Sequence, residues 1–215
     1  MKKPTFLILL LLSSSFNITS PAQAFVKMGN PETVEIKGIA LSSSAQIDEK
    51  SAPLKRVAQG LRQKKVVLAW FSVYVAQFFS NSPVDLKSVA AFKESLLKGL
   101  PVVVTMTFVR DVDNEKIVEG FKEVFKENKI DSEMTAYKNY LDAVKASGDI
   151  KDRQVFTFVF QQEKGKESVH FQTRGKELFA VNEQPGGTIS NFLSMWLGKP
   201  VDSGLEQLQE QVLKP

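Results

Sequence analysis

The sequence predicts an α+β fold, a mainly antiparallel sheet with helices on one face. Three observations predict it. Segments of strand-like composition gather toward both ends of the chain, around a middle whose apolar residues recur at helical spacing. The β segments near the C-terminus follow one another through Glu163-Lys164-Gly165-Lys166 and Arg174-Gly175, both natural hairpin turns. No period of about 20–50 residues repeats, which excludes solenoids and propellers.

The elements follow in order. Lys2 and Lys3, the apolar run from Phe6 to Leu12 and the small-residue end Pro21-Ala22-Gln23-Ala24 make residues 1–24 a secretory signal peptide, with cleavage expected after Ala24. The apolar run is too short for a membrane span, which takes about 20 residues. Residues 25–215 are then a single domain. The stretch 33–40 (TVEIKGIA) alternates like a half-buried strand, and a Ser/Asp/Lys-rich loop runs on to Pro53. Residues 54–65 (LKRVAQGLRQKK) allow helical spacing, but Gly60 argues against a helix interior, so both readings stay open. Residues 66–79 (VVLAWFSVYVAQFF) are nearly unbroken apolar, β-branched and aromatic, and predict a buried strand.

Residues 83–99 carry Leu86, Val89, Ala90, Phe92, Leu96 and Leu97 on a helical stripe, and 102–109 (VVVTMTFV) read as a strand. Ile117, Val118, Phe121, Val124 and Phe125 give an amphipathic helix over 113–128, with Asp113 or Asn114 as its cap. A second helix over 132–146 keeps Met134, Tyr137, Leu141 and Val144 on one side. Strands at 155–161, 168–173 and 176–181 come next. Pro185-Gly186-Gly187 breaks the chain, Thr188 caps a helix that runs to Leu197 and stops at Gly198 and Pro200, and 205–213 form a last short helix.

Composition narrows the chemistry. The chain of 215 residues is 43% hydrophobic and 24% charged, which is globular, and its 16 Phe imply a large aromatic interior. The absence of Cys excludes disulfides, Cys-ligated zinc, iron–sulfur clusters, thiol catalysis and a lipoprotein anchor. The single histidine, His170, leaves no His-rich metal site, and no metal or cofactor is expected. Removing residues 1–24 takes away Lys2 and Lys3 and no acid, so the formal charge falls from +4 to +2 and basicity says little about partners. Only five of the 28 basic residues are Arg, which with the export signal argues against nucleic-acid binding. A secreted, Cys-free chain fits a bacterial periplasm. Membrane contact through the Phe-rich surface or the terminal helix stays open, although no basic amphipathic segment stands out.

The standard catalytic spacings are absent: no Gly-x-Ser-x-Gly elbow, His-Glu-x-x-His, P-loop or dinucleotide fingerprint. Pro185-Gly186-Gly187 reads more simply as a loop leading into a helix than as an oxyanion turn, and His170 more simply as a structural residue of an alternating strand than as a base. Arg62 and Tyr74 stand out. Arg62 precedes the most apolar segment, where a charge is costly unless paired, and Tyr74 is the hydroxyl-bearing aromatic within it. Together they could receive the carboxylate of an amphiphile whose tail fills an apolar cavity. The plainer alternative pairs Arg62 with a nearby acid and merely packs Tyr74.

Gly60-Leu61-Arg62 followed by Ser72-Val73-Tyr74-Val75-Ala76 resembles the N-terminal signature of the chalcone isomerase-like family, a Gly-x-Arg turn leading into a Lys-Val-Tyr-Val-Ala-type strand. Phe108-Val109-Arg110-Asp111-Val112 resembles its Phe-x-Arg-Asp-Val stretch, and Phe192-Leu193-Ser194-Met195-Trp196-Leu197-Gly198 its closing Trp-Leu-Gly helix. The three pieces occur in family order and span most of residues 34–213. The resemblance implies an open-faced β-sandwich: a large antiparallel sheet, helices layered on one face and a ligand cleft between them. It also favours strand and turn for 54–65.

Function within that family divides. Plant chalcone isomerases cyclise a chalcone with an Arg and a Thr near the first signature and a Tyr and an Asn at the start of a helix. Fatty-acid-binding relatives keep the Arg and grip a carboxylate with a Tyr. Here the Arg matches Arg62, Tyr74 stands at the isomerase Thr position, and the isomerase Tyr and Asn positions fall at Asp113 and Gly120. The closing helix offers Ser194 or Met195. The resemblance therefore implies a non-catalytic periplasmic protein that binds a fatty acid or similar apolar carboxylate. Arg62, Tyr74, Ser194 and Met195 would touch the ligand, and Phe and Val side chains from 66–79 and 102–109 would line its tail pocket. The rivals are an isomerase or lyase acting on a small phenolic or enone, and a ligand-free structural or interaction protein with Arg62 paired internally.

Overall fold

The computed structural model describes residues 26–184 and 186–214. The expected signal peptide and its cleavage point lie outside them. Ten strands and five helices follow in chain order: β1 (Lys27–Met28), β2 (Pro31–Ile36), β3 (Ile39–Ser42), β4 (Ser44–Gln46), β5 (Leu54–Val66), β6 (Ala69–Ser80), α1 (Val89–Lys98), β7 (Val102–Phe108), α2 (Asn114–Glu127), α3 (Thr135–Ala146), β8 (Val155–Glu163), β9 (Lys166–Thr173), β10 (Lys176–Gln184), α4 (Thr188–Leu197) and α5 (Ser203–Val212). Eight strands form one antiparallel sheet in the order β1-β4-β5-β6-β7-β8-β9-β10, and β2 with β3 makes a separate hairpin. This is the open-faced sandwich, with the helices on one face.

Strand alternation sorts the core. Tyr74, Ala76 and Phe78 of β6, Val104, Met106 and Phe108 of β7, and Phe156, Phe158 and Phe160 of β8 point to the helical side. Phe79, Val103 and Val159 point the other way, onto Ala45, Ile47 and Leu54. The helices bury their own stripes, Phe121, Val124 and Phe125 of α2 and Tyr137, Tyr140, Leu141 and Val144 of α3, against the first set.

Several sequence expectations shift. Residues 33–40 hold a turn, because Lys37 and Gly38 take φ 52° and 70°, the left-handed pair a two-residue hairpin needs. Residues 54–65 are one long strand, with no helix. The helix expected over 83–99 begins only after Ser88, whose side chain accepts from Ala91 N. Thr188 is the first residue of α4 and not its cap; the Glu167 carboxylate caps that end instead, accepting from Gly187 N at 3.1 Å and Ile189 N at 2.8 Å. The expectation of a buried strand over 66–79 holds only from Tyr74 onward, since Val66, Trp70 and Phe71 are exposed.

Beyond Lys55, β5 has no strand partner on its outer side. An edge strand leaves a row of unpaired amides, and α5 covers it. Gln211 accepts from Leu61 N at 2.8 Å and donates back to Leu61 O at 3.4 Å, standing in for the missing strand. Two glycines permit the close approach. A Cβ at Gly60 would lie 3.1 Å from the Leu208 carbonyl, and one at Gly204 would overlap the Gln63 carbonyl. Gly204→Ala should therefore destabilise the protein by about 1–3 kcal/mol in denaturant titration. In contrast Gly120→Ala, where a Cβ meets nothing within 4 Å, should stabilise it by roughly 0.5–1 kcal/mol through helix propensity. Equal effects from the two substitutions would contradict the clamp.

Candidate functional site

Arg62 of β5 and Tyr74 of β6 are direct cross-strand partners. Directly opposed residues share a face, with Cβ atoms about 4.5–5.5 Å apart. The turn alone does not give this pairing. Counting back from the closing pair Val66–Ala69, the register reaches Gln63–Ser72 and would next set Arg62 against Val73. A bulge at that step slips β6 by one residue and turns Tyr74 toward Arg62.

Arg62 is only 9% exposed. Its Nη2 donates to Asp202 Oδ2 at 2.7 Å, and its Nη1 donates to the Gln63 carbonyl. Asp202 has a second task as the N-cap of α5, its Oδ1 accepting from Gly204 N at 3.0 Å and Leu205 N at 2.9 Å. Partial burial alone would raise its pKa. The hydrogen bond from Arg62, with those from Leu205 and Gly204, outweighs that and holds the carboxyl below its usual range. One carboxylate thus joins the sheet edge to the helix terminus.

Tyr74 is buried, and burial pushes its hydroxyl up to about 12, only partly offset by the Arg62 guanidinium; Asp202 pushes the same way as burial. The phenol is therefore a neutral donor at any ordinary pH. The Trp196 indole N–H lies close enough to lower the Tyr74 value slightly, yet it makes no hydrogen bond of normal geometry. Trp196 Nε1 and the Tyr140 hydroxyl are both buried without a partner. Tyr140 is pushed well up by burial, and the nearby Tyr74 adds to the effect.

Of these groups Arg62 and Tyr74 line a cleft of about 90 Å³ between β5–β7 and the helices, walled by Val73, Met106, Ile117, Phe121, Val124, Met195, Val201 and Leu205. Lys64 and Glu123, 3.7 Å apart, and Lys116 stand at its rim. Among the described residues no group of three or more acidic or histidine side chains is placed to hold a metal.

The sequence-derived residues separate accordingly. Arg62, Tyr74 and Met195 converge on the cleft. Ser194 does not: successive helix residues point about 100° apart, and its hydroxyl accepts from Lys93 Nζ at 2.8 Å and donates to Ser190 O, on the side of α1. Asp113 caps α2, accepting from Glu115 N, while Gly120 faces the cleft with open space where a side chain would stand. The expected lining by Phe and Val of 66–79 and 102–109 is corrected. Of those two strands only Val73, Tyr74 and Met106 reach the cleft. Phe78 and Phe108 instead meet Trp196, Phe92 and Phe156 edge to face and fill the interior. Asp202 escaped the sequence reading. The Asp202-Ser203-Gly204 step before an apolar run signals a helix cap, but nothing local signals its ion pair with Arg62.

A profile of the chalcone isomerase-like family matches residues 33–209. The chain belongs to this family. Its fold is similar to that of the Arabidopsis thaliana fatty-acid binding protein in its crystal structure, with a TM-score of 0.57, 14% identity, and coverage of 82% of this chain and 92% of that one. At that identity the likeness is one of fold. No curated protein matches the sequence.

In this chalcone isomerase-like protein the Arg62–Asp202 contact has a pH signature. A depressed carboxyl pKa stabilises the fold above the unfolded value of about 3.9 and loses that contribution as pH falls through the folded value. Asp202→Asn should flatten the acid limb of the stability–pH curve, measured by denaturant titration at successive pH values. At the alkaline end, all three tyrosines are raised. Near-UV absorbance at pH 10 should show less phenolate than free tyrosine gives, and the stability contribution of neutral Tyr74 should fade between about pH 10 and 12.

Proposed function

We propose that this chalcone isomerase-like protein is a non-catalytic binding protein for a fatty acid or similar apolar carboxylate, working in the periplasm after export directed by residues 1–24. One observation carries the reading: a buried Arg62, set opposite Tyr74 in the wall of an apolar cleft, already grips a carboxylate, that of Asp202. The Asp202 side chain marks where a ligand carboxylate binds and holds the place while the site is empty. Exchange of one carboxylate for another never strands the Arg62 charge, which would be costly at that depth. The cap of α5 loosens as Asp202 leaves, so the helix that closes the cleft is also the one the ligand releases.

The size of the cleft fits this gating. At about 90 Å³ it is small beside the roughly 300–1,000 Å³ of pockets that enclose drug-sized ligands, so an acyl tail enters only when α5 moves off β5. The isomerase reading lacks its groups, since Asp113 is engaged as a cap and Gly120 has no side chain to polarise a substrate. The ligand-free reading rests on a specific observation too, the same ion pair and small cleft, with Arg62 and Asp202 serving only to pin α5.

Titration with a long-chain fatty acid separates these. Arg62→Ala should weaken binding by about 1.5–3 kcal/mol, the range for a hydrogen bond to a charged group. Asp202→Asn should tighten it, because the amide keeps the cap but gives up its ionic claim on Arg62. Native mass spectrometry of protein from its host should show a co-purifying lipid. An empty protein that binds no fatty acid, with or without Asp202→Asn, would leave the ligand-free reading standing.

A further inference from the structure

The β5–β6 hairpin continues past the sheet. Pairing of β6 with β7 ends at Tyr74, and β4 meets β5 only at Leu54 and Lys55, so residues 63–72 form a two-stranded ribbon with no further sheet neighbour. Its last four pairs extend it by about 13 Å. The end is apolar. Val67 and Leu68 are each 87% exposed, and Val66, Trp70 and Phe71 follow at 51%, 39% and 39%. The other exposed large apolar residues, Val34, Met134 and Leu178, come from separate elements, as single exposed side chains ordinarily do.

The turn itself is strained. Val67 takes φ 56°, a conformation that β-branched residues almost never adopt and that hairpin turns give to Gly, Asn or Asp. The other two-residue hairpin turns among the described residues are Lys37-Gly38, Lys164-Gly165 and Arg174-Gly175, polar pairs that each end in glycine. Only the β5–β6 turn combines backbone strain with two bare aliphatic side chains. Such strain at an exposed tip points to a task outside the fold.

Cations surround the tip. Lys65 Nζ lies 6.0 Å from the Trp70 ring centre and Arg110 Cζ 5.1 Å from that of Phe71. Lys64 is exposed beside them. Of the acids along the adjoining groove, Glu123 pairs with Lys64, Asp111 with Lys151 and Asp113 caps α2, while Glu119 stands exposed on the α2 side. Aliphatic residues at the end, an indole behind them and cations behind that reproduce the layering of a bilayer interface from hydrocarbon to phosphate.

We propose that the Val66–Phe71 tip docks this protein onto a lipid bilayer carrying anionic headgroups, with Val67 and Leu68 in the acyl boundary, Trp70 and Phe71 at the glycerol level, and Lys64, Lys65 and Arg110 on the phosphates. The inference stands apart from the ligand assignment. It also suits it, because Val66, Phe71 and Arg110 line a groove that shares Lys64, Val73, Lys116 and Ile117 with the Arg62 cleft.

The test is sedimentation with vesicles of phosphatidylethanolamine and phosphatidylglycerol, using protein expressed with its leader and purified as its host processes it. The double substitution Val67→Asn, Leu68→Gly installs a favoured turn, so its thermal midpoint should stay level or rise, while its partition onto the vesicles should drop more than about tenfold. Trp70 fluorescence should shift to the blue on binding and be quenched by brominated lipid, whereas Trp196 is buried in the core and out of reach. Absent sedimentation of the natural protein, or equal sedimentation of the variant, overturns the proposal. So does a dimer in analytical ultracentrifugation that the variant converts to monomer, which would make the tip a self-association surface.

Discussion

The contact between Arg62 and Asp202 is the constraint around which the molecule is arranged. It joins residues 140 positions apart and does two things with one carboxylate, neutralising a buried guanidinium and starting α5. The helix so placed covers the open edge of β5, where Gln211 satisfies both polar groups of Leu61. Remove the carboxylate and three costs arrive together: an uncompensated charge, an uncapped helix and a bare strand edge. The glycines at positions 60 and 204 follow from the same constraint, because the contact forms only if helix and strand backbones come close.

The aromatic interior explains why the cleft is small. Tyr140 lies against Phe121, Phe158, Phe171 and Phe192, and Trp196 sets its ring edge to face with Phe78 and Phe158. Rings so engaged hold one another in rotamers that leave no continuous void. Burying the Tyr140 hydroxyl and Trp196 N–H without partners costs about 1–3 kcal/mol each. That the sequence keeps polar aromatics there, where phenylalanine would pack at lower cost, sets unused donors directly behind Tyr74. The buried polar residues that line the cleft, Arg62 and Tyr74, are thus distinct from the packed interior, where the unpaired donors of Tyr140 and Trp196 lie.

Much of the architecture was legible because it rests on local signals. The spacing of Ile117, Phe121, Val124 and Phe125 gives α2, and Lys164-Gly165 and Arg174-Gly175 give the C-terminal hairpins. Arg62, Tyr74 and Met195 were reachable from the family resemblance, and the structure brings them together. What stayed hidden depends on tertiary context. A bulge shifts the register by one residue and leaves no mark in composition, so only the folded sheet sets Arg62 against Tyr74 and not Val73. The ion pair of Asp202 is a relation across the chain, and Ser194 could be separated from Met195 only once the rotation of α4 was fixed. Residues 66–71 misled for a different reason: apolar composition measures what a segment would rather do, and here the projecting ribbon leaves those side chains in water.

Beyond Gly60 the β5–β6 hairpin breaks local rules twice, with a bulge between Arg62 and Gln63 and a valine at positive φ at its tip. The strain at the tip could be removed by ordinary substitution to an Asn-Gly turn, with a gain in stability. Strain that persists where relief is so close at hand is a property of functional positions more than of cores. The two sites are also mechanically linked, since the same pair of strands carries the buried Arg62 at one end and the bare Leu68 at the other. A surface that engaged the tip would bear directly on the strand that α5 covers. The proposed ligand exchange and the proposed surface docking therefore act on one element and not on two.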